Sequence, residues 1–295
     1  MTESIGQGYR IAAPKARTTG AVFASPHSGS EYPWAFLRAS VLDEVQVRSS
    51  EDAFVDELFS AVSDMGASLV AATVPRAFID LNRAADELDP ALIKGVAAVT
   101  HNPRVSSGLG VIPRVVAGGR AIYRGKIEME EAHARIADYW RPYHRALQQE
   151  IEAARMGFGE AILIDCHSMP HEAIDAASNR RPRGLRKLPE IVLGDRFGAA
   201  CGGEIMERIE AAFSNAGFRV ARNSPFAGAY VAQTYGRPAK GQHAVQVEID
   251  RSLYMDEAKI ERGPGFGEMQ TRLAGVIAEI AEIGRGAAAV PLAAE

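Results

Sequence analysis

Short apolar runs that close on a polar residue or a histidine recur along this chain, and helical patterns lie between them. The clearest is Ile162-Leu163-Ile164-Asp165-Cys166-His167, at the end of a strand-like run over 161–166. Others cover 21–24, 68–74, 190–193, 219–221 and 244–249. That alternation predicts an α/β sheet. Between the first two runs in chain order, Phe54, Val55, Leu58, Phe59 and Val62 repeat at helical spacing before Gly66, which predicts one amphipathic helix over 49–65. The stretch 127–155 also reads as helix, kinked or split at Pro142, because proline lacks an amide donor and crowds the preceding turn. Further helices are expected over 204–216, closed by Gly217, and over 257–282, interrupted at Gly263-Pro264-Gly265. Two stretches, 83–123 and 170–188, have no regular pattern, as functional lids often do.

With 295 residues, the chain is expected to form one α/β domain, its core over about 20–285 and its tails loose. Charged residues make up 24% and hydrophobic ones 47%, which argues against a disordered or fibrous chain. Thirty-three basic and thirty-seven acidic residues are interspersed, so nothing marks a nucleic-acid surface. Cys166 and Cys201 could form at most one disulfide, and a reduced, cytoplasmic protein is the simpler expectation. The first residues lack the apolar core of a signal peptide, and no segment has the apolar length of a membrane span.

Ser25-Pro26-His27-Ser28-Gly29 sets a histidine at a strand's carboxyl end, where open α/β sheets gather their ligand sites. Alone, it more commonly marks a turn histidine bonded to backbone. Asp165-Cys166-His167-Ser168-Met169 repeats the design, and two strand-end histidines point to a metal. Neutral imidazole is a preferred zinc ligand, and catalytic zinc takes three protein ligands and keeps one position open. Asp52 is the candidate carboxylate, although Ser49-x-x-Asp52 also fits a capping box and both roles stand open. Cys166 points to the strand face opposite His167 and reads as a small buried residue, and no Gly-x-Ser-x-Gly elbow supports serine hydrolysis.

Metal-assisted hydrolysis is therefore the stronger reading. Breaking an amide needs a carboxylate that takes a proton from water and passes it to the leaving nitrogen. Gln246, Glu248 and Asp250 share the strand face opposite Val245, Val247 and Ile249, which fits such a carboxylate or an ordinary half-exposed sheet. Arg76, Asn82 and Arg83 follow another strand end, suited to clamping an acidic substrate or, equally, to a surface cluster with Asp80 and Asp86.

Taken in order, these pieces resemble the N-formylglutamate amidohydrolase family over about 23–256. The matching motifs are Pro26-His27-Ser28-Gly29, Asp52 with Val55-Asp56-Glu57-Leu58, and Ile79-Asp80-Leu81-Asn82-Arg83. They continue with Ile122-Tyr123, Trp140-Arg141-Pro142-Tyr143-His144, Asp165-Cys166-His167-Ser168-Met169, Gln246-Val247-Glu248 and Tyr254-Met255-Asp256. The resemblance implies a mixed, mostly parallel sheet flanked by helices, phosphorylase/hydrolase-like and similar to zinc carboxypeptidases. It further implies one catalytic zinc on His27, Asp52 and His167, with Glu248 as base and then acid. Asn82 and Arg83 would bind the substrate carboxylate, and Arg76 would polarise the scissile carbonyl.

Metallo-carboxypeptidases take their first ligands from His-x-x-Glu, whereas Ser30 stands three residues after His27, so Asp52 is preferred, with Glu31 and Glu51 as fallbacks. The family reaction turns N-formyl-L-glutamate into formate and L-glutamate within histidine degradation, and the loop 223–230 is expected to shape the pocket. A zinc amidase or carboxypeptidase for another N-acyl amino acid or small peptide is the alternative, and a non-catalytic metal- or carboxylate-binding protein a further one.

Overall fold

The computed structural model describes residues 2–6, 8–97, 102–178 and 188–285. At its centre the apolar runs become strands because both sheet faces are covered, so that every residue of Ala161–Met169 is buried. The strands are β1 (Thr2–Gly6), β2 (Tyr9–Ala13), β3 (Ala21–Ser25), β4 (Ser68–Ala72), β5 (Ala161–Met169), β6 (Ile191–Gly194), β7 (Val220–Arg222) and β8 (Gln242–Asp250). They form one eight-stranded sheet in the order β1-β2-β4-β3-β5-β8-β6-β7. The central strands β4, β3, β5 and β8 run parallel, as do β6 and β7, while the β1–β2, β2–β4 and β8–β6 pairs are antiparallel. The sheet is therefore mixed and mostly parallel, flanked by helices.

Period-two alternation divides the core. Phe23, Ile162, Ile164, Cys166, Val245, Val247 and Ile249 pack with Met206, Phe213, Leu273 and Ile277 of the helices Gly203–Asn215 and Phe266–Arg285. Val22, Ala24, Leu163 and Ala244 pack on the other face with Leu147, Ile151 and Ala154 of the helix Arg141–Phe158. On that second face, towards the strands' carboxyl ends, the apolar series gives way to Asp165, His167, Gln246 and Glu248, all buried.

Several expectations are corrected. The stretch 49–65 is not one helix: four helical residues, Val55–Leu58, meet a 3₁₀ turn over Ser60–Met65, and Phe54 before them is left-handed at φ 66°. Asp52 explains the break, because its N–H donates to the His27 carbonyl at 3.0 Å and its carboxylate is drawn inward, overriding the helical spacing. Residues Tyr9–Ala13 are not part of a loose tail, since β2 pairs with β4 and packs Tyr9 and Ile11 against the second core. The last helix begins at Phe266, after a small ladder of Met255–Asp256 with Glu261–Arg262.

The helix around Pro142 runs as Met129–Arg135, a π-turn over Ile136–Trp140, and Arg141–Phe158, with helical dihedrals at both junctions, so Pro142 falls in the first turn of the last segment. Among its described residues, the stretch 83–123 stays largely irregular, with a short helix Pro103–Ser106 and a ladder of Val115–Val116 with Arg120–Ala121, while 98–101 lie outside the described residues. In 170–188, His171–Ser178 is helical, and 179–187 lie outside the described residues, as does the tail from Gly286. Both cysteines are buried and unpaired. No described helix is long and apolar enough to cross a membrane.

Gly29 lets the loop after β3 lie against the chain leaving β4. A Cβ there would stand 2.1 Å from the Val74 carbonyl oxygen, a backbone atom that cannot swing aside. Gly29→Ala is expected to destabilise by about 1–3 kcal/mol, as overpacking does. Thermal unfolding reads this as a Tm lowered by roughly 2–10 °C, and an unchanged Tm would show that the loop moves freely.

Candidate active site

Four parallel strands deliver the site from their carboxyl ends. His27 lies just beyond β3, Asp80 and Asn82 follow β4, Asp165 and His167 stand on β5, and Gln246 and Glu248 on β8. Glu248 is in register with His167 across the β8–β5 pair. Loops aim here because the strand ends leave them free of packing duty.

Asp52 sits between the two imidazoles. His167 Nδ1 lies 2.9 Å from Asp52 Oδ2, and His27 Nδ1 stands 3.4 Å from the same oxygen. Ligand atoms of His27, Asp52 and His167 all fall within 4.8 Å of one another, and all three residues are buried, an arrangement that can hold a metal ion. Each Nε2 faces outward to its own carboxylate: Asp80 Oδ1 at 2.7 Å from His27 and Asp165 Oδ2 at 3.0 Å from His167. Such pairs fix a metal-binding imidazole's tautomer, with the proton on Nε2 and a lone pair on Nδ1. His27 Nδ1 is buried without a hydrogen-bond partner, as a lone pair awaiting a cation would be. Glu51 is instead bound to Arg48, and Glu31 is exposed.

Burial opposes ionisation, yet the bond from His167 and the neighbouring His27 and Arg251 hold Asp52 well below the usual carboxylate range. Asp80 is likewise held down against burial by His27 and Arg76. His167 is raised well above an ordinary imidazole, burial notwithstanding, by Asp165 and Asp52. So many carboxylates around two imidazoles call for positive charge between them, which a divalent cation meets. Burial lifts Glu248 to about 7, with Asp52 adding to the rise and His167 opposing it.

The family model described as N-formylglutamate amidohydrolase matches residues 19–255. The chain belongs to the N-formylglutamate amidohydrolase family. Among curated relatives, an N-formylglutamate deformylase of Pseudomonas putida is 32% identical over 241 residues, covering 79% of this chain and 81% of the relative. Another from Pseudomonas aeruginosa is 30% identical over 236 residues, covering 79% and 80%. The crystal structure of an N-formylglutamate amidohydrolase from Ralstonia eutropha JMP134 superposes with a TM-score of 0.86 at 36% identity, covering 95% of this chain and 99% of that one. This family member is a hydrolase that acts on an amide bond.

The site opens into a cavity of about 540 Å³ that includes Arg76, Arg83, Arg104 and Arg251 in its wall. Asp80 accepts from Arg76 Nε at 3.0 Å, and Asp52 accepts from Arg251 Nη2 at 2.8 Å. Arg83 donates from Nε to the Leu109 carbonyl and stands 4.0 Å from Asp80. The Asn82 amide is oriented by Val231 N–H, which donates to its Oδ1 at 2.8 Å, and its Nδ2 donates to Asp165. The same Nδ2 lies 3.0 Å from His167 Nε2, so Asn82 bridges Asp165 and His167. Ala229 N–H fixes Gln246 in the same way, so that Gln246 Nε2 donates to Glu248 Oε1 at 2.8 Å.

Residues 225–229 of the expected loop do line the cavity. Sequence reasoning gave no role to Asp80, Asp165, Gln246 or Arg251. Asp165 was accessible from its spacing, two residues before His167 on one strand face. Arg251 had no such signal, since its partners Asp52 and Ser168 are distant in sequence. Arg251→Met should cost about 3–5 kcal/mol by stranding the buried Asp52 charge. Denaturant unfolding measures it, and a loss below about 1 kcal/mol would show that Asp52 is held without Arg251.

Proposed function

We propose that this chain hydrolyses N-formyl-L-glutamate to formate and L-glutamate, with zinc held by His27, Asp52 and His167. The observation that carries the reading is the pair of Nδ1 atoms turned to one Asp52 oxygen while Asp80 and Asp165 hold both Nε2 atoms. Two imidazoles and a carboxylate are a donor set suited to zinc. Bound there, zinc supplies Lewis-acid polarisation of the scissile carbonyl and acidifies water.

The chain's own residues do the rest. Glu248, at about 7, is poised between its two protonation states near neutrality. It takes a proton from the attacking water as the oxygen bonds the formyl carbon. It then passes that proton to the nitrogen as the C–N bond breaks, releasing formate and the free amine. Asp80 engages Nε of Arg76, and the Nη groups of Arg76 serve the carbonyl oxygen as negative charge develops. Arg83, with Asn82 next to it in the chain, takes a substrate carboxylate. The arginine-rich wall favours an acidic amino acid over a neutral one.

Elemental analysis should find near-stoichiometric zinc, and chelation should abolish formate release from N-formyl-L-glutamate. Zinc without formate release would move the substrate to another N-acyl amino acid, and failure to take up metal on reconstitution would overturn the mechanism. Glu248→Gln should retain zinc while kcat falls by about 10²–10⁴-fold, the usual worth of a positioned proton carrier. His27→Ala and His167→Ala should each lose the metal, and a variant that keeps it removes that residue from the ligand set.

A further inference from the structure

The motif Trp140-Arg141-Pro142-Tyr143-His144 takes part in the resemblance, yet none of its side chains lines the cavity. Its placement follows from the π-turn at Ile136–Trp140, where Arg141 N–H reaches back to the Ile136 carbonyl. π-turns insert a residue and shift the helix face, and Pro142 just beyond lacks an N–H to lose. Arg135 before the turn, Trp140 at its end and His144 after it consequently face one segment. Arg135 Nη1 donates to the Phe78 carbonyl at 3.0 Å, and Trp140 Nε1 to the Arg83 carbonyl at 2.9 Å. His144 Nε2 lies 2.9 Å from the Leu81 carbonyl and its Nδ1 2.9 Å from the Tyr235 hydroxyl.

Burial pushes His144 down to about 4, so the ring is neutral at physiological pH. A carbonyl only accepts, hence Nε2 carries the proton and Nδ1 accepts from Tyr235. One helical stretch thus grips 78–83 by its backbone and leaves the side chains of Asp80, Asn82 and Arg83 to the site. Val231, one residue into the helix Tyr230–Tyr235 that also supplies Tyr235, fixes the Asn82 amide from the other side.

We propose that Trp140 and His144 are positioning residues for substrate recognition, setting through the backbone of 81–83 the angle at which Arg83 and Asn82 meet a substrate carboxylate. This rests on the reading that Arg83 takes that carboxylate. The gain is geometric: an arginine fork on a loop discriminates only if its backbone is fixed.

The test is steady-state kinetics of the zinc-loaded full chain on N-formyl-L-glutamate, comparing Trp140→Phe, Tyr235→Phe and Arg83→Met. Trp140→Phe keeps a ring and removes the N–H, and Tyr235→Phe removes the hydroxyl that holds His144. Each should raise KM roughly 3- to 10-fold, the worth of one neutral hydrogen bond, with kcat within about twofold and zinc content unchanged. Arg83→Met should raise KM further. A KM shift for Arg83→Met with none for the other two overturns the positioning role and leaves the carboxylate reading intact. No shift for Arg83→Met overturns that reading and the proposal with it. A lowered Tm with unchanged KM in Trp140→Phe would reduce the contact to a structural one, and if that variant does not fold, Tyr235→Phe decides alone.

Discussion

The Asp52 carboxylate is the point on which the rest of the site depends. Two imidazoles approach one of its oxygens and Arg251 donates to the other, all in a region screened from water. A lone carboxylate there would protonate or force the fold open, because burying an uncompensated charge costs several kcal/mol. Its partners must therefore be in place together. That requirement breaks the helix expected over 49–65 and brings Arg251, just beyond β8, against Ser49 and Asp52.

Around this centre, charge is compensated in layers. Asp80 and Asp165 hold the far nitrogens of the imidazoles, Asp80 also holds Arg76, and Arg251 faces Asp52. Arg83, at 4.0 Å from its nearest carboxylate, is paired more weakly. The cavity thus sets four arginines beside Asp52, Asp80 and Glu248 within a chain whose formal net charge is −4. Under the proposed function, the less tightly paired Arg83 is the cation left for an anionic ligand. The rigidity that such selection needs comes from β-strands on one side and, on the other, from a helix re-phased by its π-turn.

Much of this was legible in the sequence. Apolar runs alternating with helical patterns predict an α/β sheet, and with it the placing of His27, His167 and Glu248 on or beside its strands. Asp52, Arg76, Asn82 and Arg83 were singled out as well, and all of them line the same cavity. The strand β2, between β1 and β4, was missed because Tyr9–Ala13 is only half-buried and short, a weak periodic signal. The helix over 49–65 was overread because its apolar spacing is genuine, while the force that breaks it lies more than a hundred residues away, on His167 and Arg251.

The sequence by itself determined the class of the fold, the strand ends at which chemistry gathers and the residue types gathered there. These follow from periodicities of two and 3.6 and from the donor chemistry of single side chains, all local properties. Only the tertiary structure decided which nitrogen of each histidine turns inward, which carboxylate each one holds, and which face the helix around Pro142 presents to 78–83. Those choices depend on contacts between residues 27 and 80, 52 and 251, or 83 and 140. Pairings at such separations leave no period in the chain, and the strong coupling of buried charge selects them only once the sheet has brought the strands together.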